Sequence, residues 1–488
     1  MNRNSTNHFY MNPTNVDLPR SRFPRAHKHL TTMDTGRLYP IYVDEILPGD
    51  TVQMDLRYLT RMMTPIFPVM DNAYMDVYFF FVPSRLVWEH WINMHGENDT
   101  DYWSQPVEYT VPQLSVAPDS DVDNPGVASG TVADYMGIPT KVYGDGAPSV
   151  SALPFRAYVK IWNDWFRDEN CMPPAQLWID DTSRTFSTSI AVEDSYLTAG
   201  QGGALLPVSK FHDYFTSVLP SPQKGPAVTL PLGTDTSVGF SSVDYLRGQF
   251  SKNIYNLTLP SGSTINGGLG SYVVNSSGDP VSPFLANRGE NLGTISSTGE
   301  NLFLNGNLAL DLSGATGVTI NALRQAFAVQ VLLEKDARGG TRYIEMLKSH
   351  FGVTSPDARL QRSEYLGGKR IPINMSQVVQ TSSTDDTSPQ GNTGAYSLTA
   401  GLDKGCFTKS FVEHGYLIGV ACIRTLHTYQ QGLERFWSRK SRFDFYYPTL
   451  ANISEQPVLN KEIYLKSGTS TDLGPADSDS NVNNEVFG

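Results

Sequence analysis

Residues 74–83 read YMDVYFFFVP, the densest apolar run in the chain. Tyr74, Val77, Tyr78, Phe79, Phe80, Phe81 and Val82 surround one carboxylate, Asp76. β-Branched and aromatic residues dominate, which favours a strand. A strand that is apolar on both faces is covered on both faces. Asp76 is expected to accept hydrogen bonds at a strand edge, because a buried carboxylate without partners is costly. A bilayer-spanning helix needs roughly 20 apolar residues. This run is shorter, and Asp76 and Pro83 punctuate it, so no membrane insertion is expected.

The segment before it reads as strands. RLYPIYVDEILPGDTVQMDLRYLTRM, residues 37–62, alternates and is cut by Pro40, Pro48 and Gly49. LPGD at 47–50 carries a turn signature, with Pro followed by Gly. Strict alternation then puts Val52, Met54 and Leu56 on one face. Pro65 and Pro68 set off two further extended segments before the aromatic run.

After Pro83 the period changes. Leu86, Trp88, Trp91 and Ile92 suggest a short helix opened by Ser84. In LPFRAYVKIWNDWFRDEN, Phe155, Tyr158, Val159, Trp162 and Phe166 form a helical stripe, with Arg156, Lys160, Asn163, Asp164 and Arg167 on the opposite face. From Ser221 to Ile320 the composition shifts to 10 charged residues in 100, with 15 glycines and 14 serines. Short apolar pieces between Gly, Ser and Asn clusters read as brief strands, so 221–320 is expected to be a β-rich excursion inserted into another domain. Helices follow in NALRQAFAVQVLLEKDARGG and RYIEMLKSHFG. FVEHGYLIGVACI at 411–423 reads as a buried strand and FDFYYPTL as another aromatic strand.

Net charge is −12, so any nucleic-acid contact must be local. The polar first 20 residues lack the apolar core of a signal peptide. Cys171, Cys406 and Cys422 match no metal spacing and no disulfide framework, and are read as small buried hydrophobes in a reducing compartment. No phosphate-binding, dinucleotide-binding, nucleophile-elbow or zinc-protease motif occurs. YLGGKR at 365–370 has Ser363 in place of the leading Gly and Arg370 where Ser or Thr belongs. His27 and His29 share one side of a strand, but no third ligand is suggested nearby. No catalytic residue, metal or cofactor is expected.

Two stretches interleave basic and aromatic residues, the combination single-stranded nucleic acid requires: charge for phosphates, rings for bases. One lies in a proline-broken, extended arm at 1–35 and holds Arg20, Arg22, Arg25 and Lys28. The other, LERFWSRKSRFDFYY, holds Arg435, Arg439, Lys440 and Arg442. The alternative for both is that the arginines pair with acidic neighbours while the rings are core.

Several long stretches carry a resemblance: IYVDEILPGD, TPIFPVMDNAYMDVYFFFVPSRLVW, WFRDEN, LRQAF, LLEKDARGGTRYIEMLKSHFGVTSPDARLQRSEYLGG and RFDFYYPTLANISEQPVLNKEIY. Together they resemble the major capsid proteins of gokushoviruses, small single-stranded DNA bacteriophages of the Microviridae. The resemblance implies a mainly β fold: an eight-stranded antiparallel jelly-roll barrel with large loop insertions and a few short helices. The barrel would occupy 36–220 and 321–466, interrupted by the 221–320 insertion, with a polar tail at 467–488. The resemblance also implies continuation into an aromatic, basic segment past Gly488, making this a shortened chain.

Sixty copies would form a T=1 icosahedral capsid around circular single-stranded DNA, assembled in the host bacterial cytoplasm. The insertion would build trimeric protrusions at threefold axes that meet a host surface receptor. Implied partners are a DNA pilot protein, an internal scaffolding protein and a small basic DNA-binding protein. A contrasting reading of the same aromatic-rich β composition is a carbohydrate-active enzyme or carbohydrate-binding protein, with two facing carboxylates in a cleft.

Overall fold

The first tight turn sets the architecture, because it carries the chain from one sheet to the other. Strand β1 (Tyr39–Ile46) turns through Leu47–Asp50 into β2 (Thr51–Met62). Gly49 supplies the left-handed backbone the turn needs (φ +90°), and the Asp50 carboxylate accepts from the Leu47 N–H at 3.2 Å. β3 (Ala73–Pro83) carries the aromatic run. Later strands complete the frame: β11 (Glu364–Pro372), β12 (Met375–Val379), β13 (Thr393–Ser410) and β14 (Gly415–Thr425). Between them lie β4 (Gln113–Ser115), β5 (Ser149–Ser151) and β6 (Arg184–Thr185), a small sheet of order β5-β4-β6.

The computed structural model describes residues 19–63, 71–97, 101, 103–104, 107–116, 126–142, 149–229, 319–379, 381, 393–451, 455–466 and 486, with four short strands between 257 and 283. The chain divides into two compact units, Met1–Pro222 with Asp336–Gly488, and Gln223–Lys335. Within the second unit, β7 (Leu257–Thr258), β8 (Thr264–Ile265), β9 (Tyr272–Val274) and β10 (Pro280–Pro283) pair antiparallel in the order β10-β9-β8-β7. Most of the expected 221–320 excursion, the extended segment at 64–70 and nearly all of the polar tail lie outside the described residues.

The first unit is built on two antiparallel sheets, β1-β14-β3-β11 and β12-β13-β2. The chain's first two strands pair with its last two, β1 with β14 and β2 with β13. Between the sheets, Met75, Val77, Phe79 and Phe81 of β3 meet Phe407, Phe411, Ile371 and Leu417, with Val52, Met54 and Leu56 of β2 packed against them. On the opposite side of the four-stranded sheet, Phe80, Val82, Ile418 and Val420 pack on Val87, Trp88, Phe155, Tyr158, Val159 and Trp162 from the long β3–β11 connection. The aromatic run therefore seals two cores at once, with each fully buried Phe contributing on the order of 1.5–3 kcal/mol.

Asp76 corrects the edge expectation. β3 lies between β14 and β11, and Asp76 is fully buried in the middle of the sheet. Arg370 stands directly across on β11 and donates through Nε at 2.8 Å. Arg424 on β14 donates to the same carboxylate through Nε at 3.1 Å and also through Nη2. Both guanidinium groups lie over the Phe211 ring, 4.4 and 4.3 Å from its centre. Removing one partner of such a group is strongly destabilising, because a charge is then left buried and unpaired.

Other expectations shift for identifiable reasons. Residues 84–95 form a 3-10 turn at Ser84–Leu86 and one helical turn at Trp91–Met94, because adjacent Val87 and Trp88 are both buried. The stripe at 153–166 forms the helix Leu153–Ile161, extended by a wide turn at Trp162–Phe166. Arg156, assigned to its polar face, is instead buried and donates to the Val87 and Asp180 carbonyls at 3.2 and 2.9 Å. The two later helices are Ile320–Gly339 and Tyr343–Phe351. Glycines of YLGGKR serve strand packing: a side chain at Gly367 would meet the Cys406 carbonyl at 2.5 Å, where β11 shifts register. Cys422 is buried as expected, but Cys171 is exposed and Cys406 half-buried.

Candidate nucleic-acid interface

The arm from residue 19 runs extended and exposed, without regular structure until a bridge pairs Thr35 with Ile423. Its arginines reach back to β1, β2 and the turn between them. Arg20 donates to the Gly49 carbonyl, and Arg22 donates to the Gln53 amide oxygen at 3.1 Å. Arg25 pairs with the Asp44 carboxylate at 2.5 Å, and Asp44 also accepts from the Tyr42 hydroxyl at 2.7 Å. Burial and that carboxylate push the Tyr42 hydroxyl far above its ordinary pKa. Lys28 is exposed. The acid-pairing alternative thus accounts for Arg25, while Arg20 and Arg22 are anchored by neutral oxygens and have no acidic partner among the described residues.

His27 and His29 stack with ring centres 6.3 Å apart, and His27 meets Tyr42 edge-on at 5.6 Å. Burial, then the His27 neighbour, lowers the His29 pKa. Among the described residues, no group of three or more potential ligands gathers to hold a metal ion.

The second basic stretch departs from its strand reading. Arg435–Ser438, Arg442–Asp444 and Pro448–Leu450 are 3-10 turns. The Asp444 carboxylate caps the Lys440 and Ser441 N–H groups at 2.8 and 2.6 Å, and Pro448 has no N–H to give a ladder. These donors hold the Asp444 carboxyl below its usual pKa. The rings are not core: Trp437 is 70%, Phe443 73% and Tyr446 73% exposed. Arg439 lies over Phe445 and Arg442 over Tyr447, each 5.4 Å from the ring centre. Arg435 is half-buried and donates to the Pro457 carbonyl at 2.7 Å. Beside it, Tyr214, Phe215, Glu434, Phe436 and Arg439 line a shallow pocket of about 430 Å³. Lys440 is exposed.

Among the described residues the two stretches share no hydrogen-bond partner. The arm lies on the turn between β1 and β2 and the strands beside it, and the second stretch lies beside Tyr214 and the helical turn Asn460–Ile463. One basic pair was not singled out from the sequence. Arg57 and Arg61 stand on the exposed face of β2, in the same alternation that turns Val52, Met54 and Leu56 inward. That alternation was the available signal.

Among the described residues, no helix is long and apolar enough to cross a membrane. A family model described as capsid protein (F protein) matches residues 12–488. A capsid protein VP1 of Bdellovibrio phage phiMH2K is 40% identical over 474 residues, covering 95% of this chain and 80% of that protein. The capsid protein VP1 of Chlamydia phage 1 is 39% identical, covering 99% of this chain and 83% of its own length. That of Spiroplasma virus 4 is 41% identical, covering 96% and 79%. An antiparallel double-sheet protein with basic, aromatic surface segments and matches of this extent belongs to the phage capsid protein (F protein) family and is a structural protein of the virion capsid.

Proposed function

We propose that this capsid protein assembles as sixty copies into a T=1 icosahedral shell around circular single-stranded DNA. The observation that carries the reading is the surface at 435–447. Phe436, Trp437, Phe443, Phe445 and Tyr446 are all exposed in the single chain, with arginines between them. Apolar surface so concentrated marks an interaction site. In a shell, neighbouring copies and unpaired bases are the available cover.

The strand order supports a jelly roll, since pairing of the first two strands with the last two is what a chain folded back on itself and wound into two sheets produces. The eighth strand and the boundaries 36–220 and 321–466 belong to the same proposal. So does the role of 221–320 as a threefold protrusion contacting a host receptor.

Charge constrains the packaging. Each copy brings −12, so a shell of these chains cannot neutralise its genome. Arg20, Arg22, Arg25 and Lys28, with Arg435, Arg439, Lys440 and Arg442, would make local contacts. Mobile cations and a small basic protein would supply the remainder, alongside a pilot protein and an internal scaffold during assembly in the host cytoplasm. Genome release should then be salt-sensitive. Electron microscopy of the expressed chain tests the shell: closed particles of one size are expected. A stable monomer that hydrolyses glycosides would overturn the proposal. Equal DNA binding by the wild type and by a variant with Arg20, Arg22, Arg25 and Lys28 neutralised would remove the arm from the interface.

A further inference from the structure

The sheet β1-β14-β3-β11 is covered on both faces, whereas the sheet β12-β13-β2 has an outer face left open among the described residues. On β2 this face presents Gln53, Asp55, Arg57, Leu59 and Arg61. On β13, Leu398, Ala400 and Leu402 point the same way, because Arg61 stands across from Leu398, Leu59 from Ala400 and Arg57 from Leu402. Leu59 is 62%, Leu398 41% and Leu402 44% exposed. Among the described residues neither Arg57 nor Arg61 has an ion-pair or hydrogen-bond partner. The one carboxylate between Gln53 and Arg57, that of Asp55, is turned to the Gly405 N–H at 2.6 Å.

This surface is continuous with the arm, since Arg22 bonds Gln53 on the same face. Gln53, Arg57 and Arg61 follow one another at four-residue steps, or about 13 Å per step along a strand. Two unpaired guanidinium groups one such step apart, with Leu59 between them, suit a linear polyanion with apolar groups between its charges. Cations without partners are complementary to phosphate, and the continuity of this face with Arg22 points to a strand that follows both surfaces.

We propose that the outer face of β2 and β13 is a track for the backbone of single-stranded DNA. Arg57 and Arg61 seat phosphates, Leu59, Leu398 and Leu402 support the sugars and bases between them, and Arg22 leads the strand on to the arm. The proposal rests on the reading that this capsid protein packages single-stranded DNA and extends it to a surface outside the two basic segments.

The test measures binding of a fluorescent 20-nucleotide oligo-dT by anisotropy across a salt series. It uses the wild type, Arg57→Gln/Arg61→Gln, and the arm variant with Arg20, Arg22, Arg25 and Lys28 changed to Gln. Each phosphate contact contributes about 0.7 to the slope of log K against log salt for single strands. The β2 double variant should therefore lose about 1.4 from that slope, with unchanged far-ultraviolet circular dichroism. Hydroxyl-radical footprinting of the wild type provides a second readout independent of the variants: oligo-dT should protect Leu59 and Leu398. An unchanged slope in the β2 variant with a reduced slope in the arm variant, or no protection of the two leucines, overturns the track while leaving the packaging reading in place. Impaired particle formation in the β2 variant with an unchanged slope would instead make this face a contact between copies. No binding by the wild type at any salt concentration would sink both.

Discussion

β2 and β3 belong to the same sandwich, both pair antiparallel, and they face each other across one core. Yet β3 is buried almost throughout, while β2 alternates between half-buried and exposed along its whole length. The difference is set by what lies beyond each sheet. Behind β3, the long connection to β11 lays the helix Leu153–Ile161 and Trp88 against Phe80 and Val82. Nothing among the described residues covers Arg57, Leu59 and Arg61. One sheet is covered on both faces within the subunit, and the other leaves one face open among the described residues.

The largest expected effect lies on the covered side. Phe79→Ala should destabilise the chain by about 3–5 kcal/mol in a denaturant titration. A loss below about 1 kcal/mol would mean that the core between the sheets collapses to fill the space. Next is Asp76→Ala, which leaves Arg424 and Arg370 without their shared carboxylate. A loss of about 3 kcal/mol is expected, towards the lower end for broken buried pairs because Arg370 is half exposed. Equal stability of the variant and wild type would show that solvent already screens the pair.

Alkali separates the two sides more finely. Burial raises the Cys422 thiol from 9.0 to about 12, and burial followed by the Asp76 charge raises the Tyr78 hydroxyl from 10.0 to about 12. For both groups the protonated form is favoured in the folded chain. Their contribution is therefore complete below the unfolded pKa and lost as pH rises through the folded one. Thermal melts should show stability declining between about pH 9 and 12. A flat profile over that range would place both groups in contact with water. At pH 8, iodoacetamide should label Cys171 and leave Cys422 unmodified until the chain unfolds. The smallest effect belongs to the open face: Leu59→Ala should change stability by less than about 0.5 kcal/mol. A larger loss would mean that this leucine is covered within the subunit.

Much of this contrast was legible in the residues. The alternation of TVQMDL and the two-faced apolar character of YMDVYFFFVP distinguish a half-open strand from a sealed one, and the helix behind β3 has a clear 3.6-residue stripe. What could not be read depends on distant partners. Asp76 looks like an edge residue until Arg370 and Arg424, almost 300 and 350 positions away, close on it from both flanking strands. Arg156 looks solvent-facing because the helix period cannot reveal the Val87 and Asp180 carbonyls that receive it. FDFYYPTL has strand composition, but Asp444 spends its carboxylate on local N–H groups and Pro448 blocks pairing. For the interface, clustered arginines in the arm and at 435–442 drew the reading, whereas Arg57 and Arg61 emerge only when alternation is followed outward as well as inward.

The most direct test is an electron cryo-microscopy map of DNA-filled particles built from this chain. Nucleic-acid density should follow the outer face of β2, within reach of Arg57 and Arg61, and continue towards Arg22. A map in which that face lies on the particle exterior, or is buried against another copy with all ordered DNA elsewhere, would contradict it.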